Sequence, residues 1–350
     1  MRLVLFVHSL ASCWNHGNAH FLRGVVRELR DAGHEVEVWE PADGWSRSHV
    51  DRQNLAELSR RFPSRTYGRD LDVAAAVDGA DVVVVHEWNE PWLVAAVGAS
   101  GVTALFHDTH HRAVTKPEEM RRYDLSGYAG VLAFGAAVAD VYRARSWHDR
   151  VFTWHEAADH RLFRPLGGER SRDLVWIGNW GDGERTRELE QLLLAPAQRL
   201  RLTGTVHGVR YPPAGIRAVE RAGLDYRGWL PNHRVPEAFA AHAVTVHVPR
   251  RPYVEALPGI PTIRVFEALA AGIPLVSAPW DDVEGLFRDG DFLWARDSAA
   301  MERALREAIA DPSFAERGRE TVLARHTCAH RVQELVAILA ELGVREAVAA

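Results

Sequence analysis

The residues from Leu257 to Ser277 (LPGIPTIRVFEALAAGIPLVS) combine types and spacings suited to phosphate and hydroxyl chemistry. A Gly/Pro-rich loop containing Gly259 and Ile260 runs into a short helical pattern whose start Thr262 is placed to cap. The free N–H groups of such a helix start point back at the loop and form an anion site. Glu267 follows on a mostly apolar helix, where an unpartnered carboxylate would cost on the order of several kcal/mol. It therefore either faces a ligand or is paired, and the ligand-facing arrangement is expected. Arg264, about one turn earlier, either pairs with Glu267 or reaches a diphosphate. Gly272 and Pro274 end the helix and launch a buried strand. An anion pocket beside one carboxylate suits a ligand that carries phosphates and hydroxyls together, as a nucleotide-sugar does.

Other stretches have reactive types just past apolar runs. In the loop from Val7 to His20, Gly17 and Asn18 stand where a polar junction opens a helix, and can hold a phosphate or sugar or act as a plain turn and cap. His86 and Trp88 close one apolar run, and His107-Asp108-Thr109-His110-His111-Arg112 closes the next. Imidazoles there can serve as acid or base near neutral pH, bind an acceptor or a metal, or simply satisfy backbone groups. The spacing fits no standard zinc motif, and His107, at the strand end, is expected deepest. Gly178-Asn179-Trp180-Gly181-Asp182-Gly183-Glu184-Arg185 frees the backbone to wrap an anion before a helix, with Arg185 either clamping phosphate or lying exposed. Trp229 and Leu230 end another strand as a stacking wall or as core. Arg250 and Arg251 face ligand or water. The Asp70/Asp72 and Asp289/Asp291 pairs read as solvated turns, and no metal site is expected.

These groups need a scaffold, and the hydrophobic pattern supplies one. Apolar strands are expected at Arg2 to Val7, Glu35 to Trp39, Asp81 to His86, Val102 to His107, Gly130 to Phe134 and Arg150 to Trp154, with a helix at Asn18 to Ala32. The alternation restarts at Asp173 to Ile177, Arg201 to Val206, Leu224 to Gly228, Val244 to Val248 and Pro274 to Ser277. Helices are expected at Glu184 to Leu194, Val235 to Ala241 and Thr262 to Ala271, and two long ones end the chain near Ser298 to Ala310 and Ala329 to Leu342. This pattern predicts an α/β protein with two tandem Rossmann-like doubly wound domains and an interdomain cleft. The linker falls at 159–172, giving domains 1–165 and 166–350, with the last helix free to pack back on the first.

The 350 residues are 47% hydrophobic and 25% charged, as in ordinary globular proteins, and the formal net charge of −5 gives no ground for nucleic-acid binding. Lys116 is the only lysine against many arginines, which fits a GC-rich genome. Two cysteines, Cys13 and Cys328, suggest no disulfide framework and fit a reducing cytoplasm. No apolar stretch reaches the roughly 18 residues of a membrane span, and the run to Leu10 is too short for a signal peptide.

The 257–277 stretch resembles the C-terminal signature of glycosyltransferases of the GT-B fold that share a Glu-x7-Glu motif (the group 1, or family 4-like, enzymes). It looks most like the CgeB-type spore-maturation glycosyltransferases, which carry a similar His-Asp-Thr-His-His stretch. Asp159-x-x-x-Phe163-x-Pro165 resembles the run that precedes the second domain in many of these enzymes. Glu267 matches the second glutamate of the motif, which binds the donor ribose; Gly259 stands where the first would be. The resemblance implies a bacterial, cytoplasmic, retaining and metal-independent glycosyltransferase with no cofactor besides its nucleotide-sugar co-substrate. Its donor site would comprise Gly17, Asn18, Gly178, Asn179, Trp229, Leu230, Gly259, Ile260, Thr262, Arg264 and Glu267. The acceptor, a glycan, small molecule or protein, would meet His86, Trp88, His110 and His111, with His107 and Arg185 in the catalytic roles. A nucleotide-sugar 2-epimerase on the same fold and a non-catalytic paralogue that binds nucleotide-sugars or glycans are the competing readings.

Overall fold

A computed structural model describes residues 1–13 and 17–344 of the chain. These form two compact units. The first contains residues 1–13, 21–156 and 328–344; the second contains residues 17–20 and 157–327.

The first unit is built on a parallel sheet of seven strands: β1 (Arg2–Phe6), β2 (Glu35–Pro41), β3 (Arg65–Tyr67), β4 (Val82–His86), β5 (Ala104–Asp108), β6 (Gly130–Ala133) and β7 (Val151–Thr153). Their spatial order is β3-β2-β1-β4-β5-β6-β7. Every residue of β4, β5 and β6 is buried, because helices cover both faces of a parallel sheet and leave no side for water. Toward the edge, β2 alternates exposed and buried positions. The helix Cys328–Glu341 belongs to this unit: the Trp154 indole donates to the Arg331 carbonyl (2.8 Å), and Arg331 Nε donates to the His155 carbonyl (2.9 Å). The sequence reading puts one boundary at 165, whereas the first unit stops at Glu156 and resumes at Cys328.

The second unit repeats the architecture with β8 (Arg172–Ile177), β9 (Gly204–His207), β10 (Asp225–Gly228), β11 (His242–His247), β12 (Leu275–Ser277) and β13 (Leu293–Trp294), in the parallel order β10-β9-β8-β11-β12-β13. Strand order reverses between β1 and β4 in one sheet and between β8 and β11 in the other. At such switch points the neighbouring connections leave in opposite directions and open a crevice at the carboxyl ends of the strands.

Several elements depart from the expected pattern. β3 and β13 are too short to show a period, and the pattern does not predict them. The helix Phe314–Arg325 is also unpredicted, since Gly318 interrupts its apolar stripe. That glycine is there for contact: a Cβ on it would lie 2.4 Å from the Asp291 carbonyl oxygen. In place of one helix over 184–194, an α-turn (Thr186–Leu189) widens into a π-helical turn (Glu190–Leu194) before α-helix resumes at Ala195–Leu200. Pro196, which has no N–H to donate, lies just past the widened turn.

The helix Asn18–Asp31 begins in close contact with Ile263: a Cβ on Gly17 would lie 1.6 Å from Ile263 Cγ2. Gly17→Ala is expected to overpack this contact at a cost of about 1–3 kcal/mol and lower the melting temperature by several degrees. An unchanged melting curve would show that the contact yields freely.

Candidate functional sites

In the second unit the crevice lies between β8 and β11. Beyond β8 the backbone turns left-handed at Gly181, Asp182 and Gly183 (φ 98°, 52° and 86°). This brings Arg185 back over the strand end. Its guanidinium donates to the Val248 carbonyl past β11 (2.9 Å) and to the Asn179 carbonyl (2.6 Å), and lies 5.2 Å from the Trp176 ring. Arg185 thus ties the two sides of the crevice together. Arg250 bonds Glu184 across the same gap (2.7 Å), and the Arg251 N–H donates to the Glu184 carbonyl (3.1 Å). Burial, with the charges of Arg250 and Arg264 nearby, pushes the Arg185 pKa down to about 9. Burial and the charges of Arg185 and Arg264 also push His247, the last residue of β11, down to about 3. His247 is therefore neutral, and its nitrogens pair with Ser277 Oγ (2.9 Å) and Thr262 Oγ1 (3.2 Å). A buried guanidinium whose pKa is lowered by burial and by neighbouring arginines marks a place where an anion relieves repulsion.

The helix Thr262–Ala271 starts at this crevice. Thr262 does not cap it. Pro261 occupies the cap position with no side-chain hydrogen bond, and Thr262 adopts a left-handed φ of 57° with its hydroxyl turned to His247. Gly259 also has a left-handed backbone (φ 86°), and its N–H donates to the Asp281 carbonyl (2.6 Å). A Cβ there would lie 2.6 Å from Glu284 Oε1, so the Glu284 carboxylate occupies the space that a side chain at 259 would enter. Ile260 is buried.

Glu267 is fully buried and paired, where the sequence reading expected it to face a ligand. Its Oε1 accepts from His20 Nδ1 and from Asn232 Nδ2, both at 2.8 Å, and its Oε2 pairs with Arg264. The Asp159 N–H donates to His20 Nε2 (2.7 Å), so the proton of the neutral imidazole sits on Nδ1 and points at the carboxylate. Phe163 stacks on the same ring (4.0 Å). Burial works to raise the Glu267 pKa, but Arg264, His20 and Asn232 outweigh it and hold the group below the ordinary carboxylate value. Neither His20 nor Asn232 is predicted from sequence, since they lie 247 and 35 positions away. The available signal is Glu267 itself, whose apolar helix demands donors from elsewhere. Asn232 opens a 3₁₀ turn just past half-buried Trp229 and Leu230. Gly178 and Asn179 are buried at the end of β8, Asn179 Oδ1 accepting from the Val209 N–H (3.0 Å), while Gly17 and Asn18 are buried at the start of their helix.

In the first unit the crevice lies between β1 and β4. Glu87, past β4, is fully buried and receives Arg112 Nε (2.9 Å) and Nη2 (2.6 Å). Asp108, at the end of β5, accepts from the His110 N–H (3.0 Å) and the Tyr142 hydroxyl (2.8 Å) and is in contact with Glu87. Burial, then the Glu87 charge, pushes Asp108 well above the usual carboxylate range. Burial also pushes Glu87 up, against the opposing charge and hydrogen bonds of Arg112. His86 is buried, its Nε2 paired with Thr109 Oγ1 (3.0 Å), and His111 is buried with Nδ1 paired with Thr115 Oγ1 (3.0 Å). Trp88 and His110 are half-buried neighbours, 5.2 Å apart. His107, expected to do acid–base work, has no exposed surface and packs among the rings of Phe21, His86 and Trp154. Burial pushes it down to about 3, and neither ring nitrogen has a hydrogen-bond partner. In this arrangement it reaches no ligand. Asp291, expected in a solvated turn, is likewise buried and accepts from the Arg288 N–H (2.9 Å). Among the described residues no group of three or more His, Cys, Asp or Glu side chains could hold a metal ion, and no helix is long and apolar enough to cross a membrane.

Residues 185–337 match the glycosyl transferase-like sequence family. No curated protein matches the chain. Among solved structures, the sucrose-phosphate synthase of Thermosynechococcus elongatus superposes with a TM-score of 0.67 at 15% identity, covering 98% of this chain and 99% of that one. An alpha-glucosyltransferase in complex with UDP-glucose and DNA containing an abasic site gives 0.71 at 13% identity, covering 97% and 99%. HepE of Anabaena in complex with UDP gives 0.69 at 13% identity, covering 97% and 100%. The fold is that of GT-B glycosyltransferases along the chain, and the second unit carries most of the family match. Fold and family match point the same way: the fold is the one GT-B glycosyltransferases share, and residues 185–337 resemble the glycosyl transferase-like family.

Two predictions follow from the buried carboxylates. Glu267 contributes stability that is complete above its unfolded pKa and is lost as pH falls through its lower folded value. His20→Phe keeps the stack on Phe163 but removes a donor. It is expected to cost about 1–3 kcal/mol and to start the acid loss at higher pH, read from melting curves between pH 3 and 8. Asp108→Asn, which keeps a donor and removes the titration, is expected to leave stability at pH 7 within about 1 kcal/mol. Glu87→Gln strands Arg112 and is expected to cost about 3–5 kcal/mol. Equal losses in these two variants would show that Asp108 is ionised.

Proposed function

We propose that the protein transfers a glycosyl group from a nucleoside diphosphate sugar to an acceptor, the second unit holding the donor and the first the acceptor. The observation that carries this reading is the arginine-lined crevice of the second unit: Arg185, Arg250 and Arg264 gather beside the start of a helix whose cap residue, Pro261, makes no side-chain hydrogen bond. A diphosphate fits both the cations and the positive end of the helix. During transfer, negative charge grows on the departing diphosphate, and preorganised cations and amides stabilise it without reorganisation. Such an arrangement also supports a reaction that needs no divalent metal. The UDP and UDP-glucose named for the solved neighbours are donor-side ligands of this chemistry.

Glu267 fits the ribose role in a specific way. Its Oε1 accepts two hydrogen bonds within the protein and its Oε2 pairs with Arg264, so its pull on a donor ribose is exerted through the Arg264 guanidinium it holds. The same carboxylate orients Arg264 toward the crevice. Retention of configuration and a CgeB-type affiliation complete the reading. They rest on the match of Glu267 to the second motif glutamate and on the stretch from His107 to His111.

Titration of the whole chain with UDP, after exhaustive chelation, tests the donor half. Saturable binding is expected, and Arg250→Ala is expected to weaken it about 10- to 100-fold with little change in melting temperature, as for loss of a charged hydrogen bond. Absence of binding to UDP and GDP alike, or unchanged affinity in the variant, would remove the crevice from the donor site. Release of free UDP from a UDP-sugar only when acceptor is present separates transfer from epimerisation.

A further inference from the structure

Among the described residues five that are not glycine take a positive φ: Ser146, Asp182, Arg201, Arg210 and Thr262. Thr262 is the β-branched one, and a β-branched side chain is poorly suited to that conformation. Strain of this kind persists only where neighbouring groups hold it, and it collects at ligand sites. We propose that His247 is a positioning residue of the donor crevice: its hydrogen bond to the Thr262 hydroxyl holds the left-handed turn that aims the start of the helix Thr262–Ala271 at the diphosphate.

The available protons fix the direction of each bond. The Ser277 hydroxyl donates to the Ala278 carbonyl (2.8 Å), so its oxygen is left to accept from His247 Nδ1 (2.9 Å). The imidazole proton therefore sits on Nδ1. Nε2 is bare and accepts from the Thr262 hydroxyl (3.2 Å). The ring itself is tied to the sheet. His247 and Ser277 are in register on β11 and β12, and the Ala278 N–H donates to the His247 carbonyl (2.8 Å). A chain of hydrogen bonds thus runs from the end of β12 through the imidazole to the first residue of the helix. His247 is buried and neutral, so it anchors Thr262 without adding a cation to those of Arg185 and Arg264.

What this anchor holds is a backbone shape. Pro261 is right-handed (φ −80°, ψ −5°) and Thr262 is left-handed (φ 57°). That succession turns consecutive backbone N–H groups toward one side and makes a concave seat for an anion. Relaxation of Thr262 to negative φ would undo the concavity. A glycine takes such a turn without strain and needs no anchor. Threonine needs one, and a partner 15 positions away supplies it. The two residues act as a unit in setting the helix start.

The inference rests on the donor reading, and a double-mutant cycle keeps the two separable. UDP and GDP are titrated against the whole chain, after chelation, in the wild type, His247→Phe, Thr262→Gly and the double variant, with melting curves beside them. His247→Phe keeps a ring and removes both hydrogen bonds. It is expected to weaken diphosphate binding about tenfold when Thr262 is present, and less than about twofold in the Thr262→Gly background. Thr262→Val, which keeps the branched shape and loses the hydroxyl, is expected to repeat the loss seen in His247→Phe. A histidine that only packs would lower the melting temperature and leave affinity alone, which would overturn the assignment. So would equal losses of affinity in both backgrounds. A loss in Thr262→Val that His247→Phe does not share would also overturn it, because the hydroxyl would then meet the ligand itself. If the wild type binds neither nucleotide, the donor reading fails and the melting curves decide. The positioning role then requires His247→Phe to lower the melting temperature more when Thr262 is present than in the Thr262→Gly background, and equal shifts would sink it.

Discussion

A carboxylate sealed inside an apolar helix has to be met by donors, and Glu267 draws them from three separate stretches of chain. His20 comes from the first turn of the first helix, Asn232 from the link after β10, and Arg264 from its own helix. Removing any one leaves buried charge short of a partner, so the three stretches are held in register by a single group. The linker adds to the same knot, since the Asp159 N–H fixes the tautomer of His20 and Phe163 stacks on its ring. The helix start that forms the anion crevice inherits its position from this cluster, because Thr262, Arg264 and Glu267 lie on the same helix.

The two switch-point crevices solve opposite electrostatic problems. In the second unit burial and the nearby charges of Arg250 and Arg264 lower the pKa of Arg185. In the first, two carboxylates and one arginine are crowded at the ends of β4 and β5; burial pushes both carboxyls up, Asp108 further through the Glu87 charge, and Arg112 opposes the rise.

Much of this organisation was legible in the sequence, for physical reasons. Buried parallel strands are dense in Val, Leu and Phe, so β1, β4, β5, β8 and β11 announce themselves, and the junctions past them hold the reactive types. Elements shorter than a period, β3 and β13, carry no such signal. Gly318 and Pro196 mislead because a residue that breaks local structure can also serve tight packing or a widened turn. The candidate site was legible in its composition but less so in its geometry. His107 and His86 carry the right chemistry at strand ends, yet both point into the packed interior. The partners of Glu267 could be inferred as necessary but not located, since burial tells that donors exist and not where on the chain they are.

Gly259 and Glu284 have a consequence for how sequences of this shape are compared. The two positions share one volume: a side chain at 259 would enter the space the Glu284 carboxylate now fills. A side chain at 259 would have to move the Glu284 carboxylate aside and would also strain the left-handed backbone there (φ 86°). A glycine in the usual glutamate position is then no simple deletion. Its meaning is conditional on a residue 25 places downstream, and a motif read in a single window will miscount the acidic groups in this crevice.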